Sequence, residues 1–178
     1  MTRSPAEDVW IEWQAAIEGQ GSAAEPDANA WVAANVGSGK TKVLIDRVAR
    51  LLLRGAEPDS ILCVTYTKAA ATEMQDRLCK RLGDWCVAED TKLRADLKEL
   101  EHREDFSNEE VGRARQLFAR ALETPGGLRI ETIHAFCGRL LRRFPLEAGI
   151  PPGFHELDEE DSNELWASAF VHLGARVA

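Results

Sequence analysis

Ala34-Asn35-Val36-Gly37-Ser38-Gly39-Lys40-Thr41 is the stretch on which the fold turns. The apolar run Ala30-Trp31-Val32-Ala33 leads into it and is expected to form a short buried strand. Behind it, Leu44, Val48, Leu51 and Leu52 recur at helical spacing. Strand, glycine-rich turn, then Gly-Lys-Thr opening a helix is the context of a phosphate-binding loop. Glycines let backbone N–H groups crowd round an anion, and a helix N-terminus adds partial positive charge. On this reading Ala34, Asn35, Val36, Gly37, Ser38 and Gly39 line a nucleotide site. Lys40 reaches its β- and γ-phosphates and Thr41 holds Mg²⁺, which makes Lys40 and Thr41 the candidate catalytic pair. The alternative is a glycine-rich turn with no ligand. Lys and Thr at both required positions argue against it. Ala34 stands where such loops usually carry their first glycine.

With 178 residues, 44 % hydrophobic and 29 % charged, the chain has the composition of an ordinary globular protein with a real core. No apolar run approaches the ~20 residues needed to span a bilayer. The first residues carry no apolar signal core, so a cytoplasmic location is expected. Cys63, Cys79, Cys86 and Cys137 show no CxxC pair or metal-ligand spacing. They are expected to be reduced thiols, with Cys63 a small core residue. The net charge of −8 argues, taken alone, against a nucleic-acid partner. The charge is uneven, however. Acid concentrates at Asp158–Asp161 and around Glu99–Glu110, while Arg139, Arg142 and Arg143 cluster elsewhere.

In chain order, Ser4-Pro5-Ala6-Glu7 predicts a helix start. Trp10, Trp13 and Ile17 fall on one face and Gly19 is the expected stop. Residues 20–29 read as a polar loop. Gln20 could read an adenine edge with both halves of its amide, or be an exposed loop glutamine. Ile61–Thr65 predicts a second strand, followed by a helix with Ala70, Met74, Leu78 and Leu82 on one face. Tyr66, Thr67 and Lys68 sit at that strand's carboxyl end, where ligands bind in parallel sheets. An aromatic, a hydroxyl and an ammonium suit single-stranded nucleic acid, though an ordinary turn would use the same residues. Residues 89–123 read as two charged helices, with Leu93, Leu97, Leu100, then Val111, Ala114, Phe118 and Leu122 at helical spacing. Ser107 and Glu110 make a capping box between them. Leu128–Ile133 predicts a third strand, with Thr132 and His134 at its carboxyl end. In the following helix Ile133, Phe136, Leu140, Leu141 and Phe144 are expected inward. Pro145–Gly153 reads as a boundary, and a last helix should place Leu165, Ala169 and Leu173 on one face.

Three separated segments together resemble one family. Ala-Asn-Val-Gly-Ser-Gly-Lys-Thr is similar to the AxxGxGKT loop of superfamily 1 helicases of the UvrD/Rep type, which often begins with alanine. Ile61–Met74 resembles their motif Ia, and Thr132-Ile-His-Ala-Phe136 their motif Ib. Gln20 falls where their Q motif stands. Residues 31–78 and 130–149 look most like the AddA-type helicase–nuclease subunits. The resemblance implies an α/β fold: a P-loop RecA-like core with parallel strands and a helical insertion, about 88–123, between motifs Ia and Ib. Residues 1–155 would be a partial RecA-like domain 1A and residues 156–178 the beginning of helical domain 1B. It implies ATP and Mg²⁺ as ligands, Gln20 as adenine reader, and a 3′–5′ DNA motor acting in double-strand break repair with an AddB-like partner subunit. Tyr66, Thr67, Lys68, Thr132, His134 and Phe136 would contact single-stranded DNA.

One departure limits the expected activity. No Asp-Glu pair follows an apolar strand, and the Asp158–Asp161 run has no such strand before it. The expectation is therefore an N-terminal piece, ending before the Walker B carboxylates, that binds ATP with little or no hydrolysis. Two other readings stay open on the residues. A small-molecule P-loop kinase would leave the Ia and Ib matches unexplained. A non-catalytic DNA- or partner-binding remnant would keep the loop as a structural turn only.

Overall fold

The computed structural model describes residues 17–33, 35, 37–157 and 159–177. The capping residues Ser4–Glu7 and both Trp10 and Trp13 lie outside them. Residues 17–23 are helical, and Gly19 lies within that helix rather than ending it. Glycine stops a helix by turning left-handed, and Gly19 is not among the positive-φ glycines. The helix instead closes with Ala24 N–H donating to the Gln20 carbonyl at 3.0 Å. Gln20 is thus a helical residue, not a loop residue.

Contacts divide the chain into two units, one ending at Thr132 and the other starting at Ile133. In the first unit, β1 (Leu62–Thr65) and β2 (Arg129–Thr132) form a parallel pair. Both are shorter than the runs that predicted them. The register runs from Leu62 opposite Arg129 to Thr65 opposite Thr132. Parallel neighbours need a long crossover, and three helices supply it: α2 (Lys68–Val87), α3 (Asp90–Glu101) and α4 (Asn108–Glu123). Ahead of β1 comes α1 (Lys40–Leu53).

The core is mainly helix on helix. Ile45, Val48, Ala49 and Leu52 form the buried stripe of α1; Met74, Leu78, Leu82 and Trp85 that of α2. Leu93, Leu97 and Leu100 join from α3, and Val111, Ala114, Leu117 and Ala121 from α4. The charged crossover is therefore not an appendage: its apolar stripes are part of the same core as α1. Leu44 and Leu122, expected inward, are half-exposed or more, because the buried arcs are centred one residue away, on Ile45 and Ala121. The capping box at the start of α4 is formed as predicted, each partner bonding the other's backbone N–H. Arg81 pairs with Asp46 across α1 and α2. Burial pushes the Cys63 and Cys79 thiols above the ordinary cysteine range, as a core thiol requires.

The run expected to be a strand before the loop is not one. Residues 30–33 form no strand and stay exposed, Trp31 at 97 %. Among the described residues only β1 and β2 pair, so residues 30–33 have no ladder to join. An unpaired backbone keeps its amides in water, and apolar side chains alone do not make a strand.

The second unit holds α5 (Ile133–Arg143) and α6 (Glu159–Val177). Ile133, Leu140, Leu141 and Phe144 were expected inward but remain 38–47 % exposed. Leu165 and Leu173 of α6 are more exposed still. An amphipathic helix buries its stripe only where another element covers it, and nothing among the described residues of this unit does so. No helix here is long and apolar enough to cross a membrane.

Candidate nucleotide site

The loop's glycines answer a backbone requirement. Gly37 has φ 84° and Gly39 φ 85°, left-handed values that L side chains rarely adopt. Gly39 is the N-cap of α1 and gives it no side-chain cap. The N–H groups of a helix's first turn lack intrahelical partners, and an anion is what completes such an end. Lys40 and Thr41 are the first two residues of that turn.

The loop's polar groups converge on one oxygen. The Asn35 carbonyl accepts from Lys40 Nζ at 2.5 Å, from Ser38 Oγ at 2.7 Å and from Ser38 N–H at 3.3 Å. Lys40 Nζ also lies 3.4 Å from Ser38 Oγ. The ammonium is thus folded over its own loop, held by a charge-assisted bond to a neutral carbonyl. A phosphate oxygen, carrying real charge, is the better acceptor and would draw it away. The Thr41 hydroxyl is one hard oxygen ligand, which fits magnesium. That ion usually takes one or two protein groups and fills its octahedron with phosphate oxygens and water. Among the described residues no cluster of three or more His, Cys, Asp or Glu could hold a metal by itself.

Gln20 reaches the same loop from the preceding helix, Nε2 donating to the Ser38 carbonyl at 3.2 Å. A cavity of about 360 Å³ adjoins it, lined by Gly19, Gln20, Trp31, Ser38, Lys40 and Val43. A larger crevice of about 590 Å³ lies behind Gln20 among α1, α2 and α3, with Asp46, Arg50, Arg81 and Glu99 in its wall. Arg81 is engaged with Asp46, Glu99 with Lys42, and Arg50 with backbone carbonyls. The smaller cavity, which touches both Gln20 and the loop, is the candidate base pocket.

Sequence reading missed what holds Gln20 in place. Arg47 donates to four main-chain carbonyls: Ala23 at 3.2 Å, Glu25 at 2.6 Å, Pro26 at 3.2 Å and Ala28 at 2.6 Å. Arg50, only 4 % exposed, donates to the Gly21 carbonyl at 3.2 Å and the Leu100 carbonyl at 2.9 Å. Arg54 pairs with Glu25 at 2.7 Å and Asp27 at 2.6 Å. Burial raises the Glu25 pKa, but the Arg54 hydrogen bond and charge, the Asp27 backbone N–H and the Arg50 charge together bring it below the ordinary range. The available signal was three arginines at i, i+3 and i+7, one face of a helix.

At the carboxyl edge of the sheet, the parallel register brings Tyr66–Lys68, after β1, alongside Thr132, the last residue of β2. Tyr66 is 84 % exposed. The Thr67 hydroxyl caps α2, accepting from Ala70 N–H at 3.1 Å, and Lys68 is exposed in the first turn. Thr132 is buried rather than open. His134 and Phe136 belong to the second unit. His134 is exposed, and the Arg139 guanidinium lies 5.5 Å from the Phe136 ring centroid.

Comparison with known proteins now bears on this geometry. Residues 17–175 match the family model described as UvrD/REP helicase N-terminal domain. The chain is 32 % identical over 154 residues to the AddA-type ATP-dependent helicase/nuclease subunit of Enterococcus faecalis, covering 86 % of this chain. It is 35 % identical over 144 residues to the protein of the same name from Levilactobacillus brevis, covering 78 % of this chain. It is 33 % identical over 153 residues to the one from Desulforamulus reducens, covering 84 %. The aligned part spans about a tenth of the length of these relatives, 10 % in each.

Proposed function

The chain belongs to the UvrD/REP helicase N-terminal domain family, and on that premise we propose that it is the ATP-binding part of a DNA helicase of the AddA helicase/nuclease kind. The parent activity in this reading is ATP-driven 3′–5′ movement on DNA in double-strand break repair, in the cytoplasm, with an AddB-like partner subunit. The observation that carries the nucleotide assignment is the loop itself. Two left-handed glycines, Gly37 and Gly39, deliver an uncapped helix N-terminus, and Lys40 Nζ spans the loop to the Asn35 carbonyl.

In this reading the triphosphate takes the place of that carbonyl as the partner of Lys40. The ammonium moves to the β- and γ-oxygens, and first-turn N–H groups of α1 complete the cradle. The Thr41 hydroxyl holds Mg²⁺, which neutralises charge shared between the same two phosphates. Gln20 exchanges its bond to the Ser38 carbonyl for the base edge, its amide supplying one donor side and one acceptor side. Tyr66, Thr67, Lys68, Thr132, His134 and Phe136 are assigned to the single-stranded DNA path. Tyr66 supplies the exposed stacking face, and Thr67 and Thr132 order the edge rather than offering open hydroxyls. Phosphoryl transfer also needs a carboxylate to position water and metal. No Asp-Glu pair follows an apolar strand in this sequence, so the reading assigns binding without turnover to these residues.

The test is equilibrium binding of a fluorescent ATP analogue to the wild-type chain and to Lys40→Ala. Binding should be lost in the variant while its circular dichroism spectrum is unchanged. Undiminished binding by Lys40→Ala would sink the assignment.

A further inference from the structure

Gln20 can read a base only if its backbone is held at a fixed distance from the loop. It stands one turn from the end of a helix that closes at residue 23, and residues 24–29 then form turns. Short polar turns of this kind ordinarily leave their carbonyls to water and remain loose. Here the carbonyls of Ala23, Glu25, Pro26 and Ala28 all turn onto one guanidinium, that of Arg47. Only arginine has the chemistry for this. Its five N–H donors lie in a rigid plane and it carries no acceptor. A lysine in the same place has three donors on one atom and cannot reach both ends of the turn.

The hold is reinforced on either side. Arg50 takes the Gly21 carbonyl, one residue past Gln20, and Arg54 takes the side chains of Glu25 and Asp27. All three arginines rise from α1, the helix whose first turn carries Lys40 and Thr41. Base reader and phosphate cradle are therefore fastened to one rigid rod. The fit is close: a Cβ on Gly39 would stand 3.3 Å from Gln20 Nε2.

We propose that Arg47 is a positioning residue for base recognition: it holds the 23–28 turn to α1 so that the Gln20 amide is presented to the purine edge. The inference rests on the nucleotide reading above and assigns base selection to a residue that never touches the nucleotide. It divides the site's energetics in two. Phosphate affinity depends on the loop and Lys40, whereas the preference for adenine depends on Gln20 and, through it, on Arg47.

The experiment measures dissociation constants of ATP, GTP and inorganic tripolyphosphate for the wild-type chain, Gln20→Ala, Arg47→Met, Arg47→Lys and Lys40→Ala. Loss of the two amide hydrogen bonds should weaken ATP about tenfold in Gln20→Ala. Arg47→Met should match that loss, and Arg47→Lys should follow Met rather than wild type. Tripolyphosphate should bind all three as it binds wild type, and the ATP-over-GTP preference should collapse. The double variant Gln20→Ala/Arg47→Met should be no weaker than either single, the signature of two residues acting through one contact. If Arg47→Met unfolds the chain, Arg47→Lys carries the test, with faster amide hydrogen exchange over residues 20–28 as its independent readout.

Equal weakening of ATP and tripolyphosphate would overturn the proposal, as would wild-type ATP binding in Arg47→Lys or additive losses in the double variant. Failure of the underlying site looks different: Lys40→Ala would then bind tripolyphosphate as well as wild type does, and the inference about Arg47 would fall with it.

Discussion

The start of α4 offers a prediction whose sign and size follow from its geometry. Glu110 Oε2 accepts from Ser107 N–H at 2.8 Å and from the Ser107 hydroxyl at 2.9 Å, while Oε1 takes the Arg103 guanidinium. In return Ser107 Oγ accepts the Glu110 N–H at 3.3 Å. The Arg103 hydrogen bond, followed by the two from Ser107, holds the carboxyl at about 2 against an ordinary value of 4.5. A carboxyl whose folded pKa lies below its unfolded one stabilises the fold in its ionised form. That stabilisation is complete above pH 4.5 and is lost as the pH falls through about 2. Glu110→Gln keeps an acceptor for the Ser107 N–H but loses the charge opposite Arg103 and at the helix N-terminus. From the usual worth of a cap and of the dipole contact, the cost is about 1–2 kcal/mol at pH 7. Urea unfolding followed by circular dichroism, for both proteins at pH 7 and at steps down to pH 2.5, measures it. The gap should be widest at neutral pH and close progressively in acid. A gap that stays constant with pH would refute the reasoning, because it would show that the carboxylate's charge is not what holds the box.

Two further outcomes follow from packing and exposure. Leu97 is fully buried between α1 and α4 within the shared core, so Leu97→Ala should cost about 3–5 kcal/mol in the same urea assay; a loss under about 1 kcal/mol would mean that the crossover helices are not part of that core. Tyr66, 84 % exposed at the carboxyl end of β1, should lose one stacking contact on mutation. Tyr66→Ala in the full-length helicase should weaken single-stranded DNA binding by about 1–3 kcal/mol, and equal affinities at matched salt would count against that role.

What could be read from the sequence is what short-range physics decides. The capping box needs only Ser107 and Glu110 at the right separation. The loop needs glycine at 37 and 39 because the backbone there turns left-handed. The stripes of α2 and α3 repeat at helical spacing wherever they are buried. The failures share a different cause. Residues 30–33 have a strand's composition, but a strand is defined by its neighbours, and none among the described residues pairs with them. The apolar side of α5 was read from the same kind of stripe that succeeded in α2. There too the missing ingredient is a covering element rather than a pattern.

The arginines of α1 were illegible for a third reason. Their partners are carbonyls, which every residue carries, so no residue type in the 21–28 segment announces the contact. Glu25 and Asp27 would have suggested ordinary surface ion pairs, which contribute little. Arg47 instead satisfies four backbone acceptors, and Arg50 does so from a buried position. Backbone acceptors left unmet cost more than a surface ion pair returns. A segment without secondary-structure partners thereby acquires a fixed place on α1. The loop motif identifies where phosphate would bind, but what Gln20 can distinguish depends on how firmly that unpatterned turn is held.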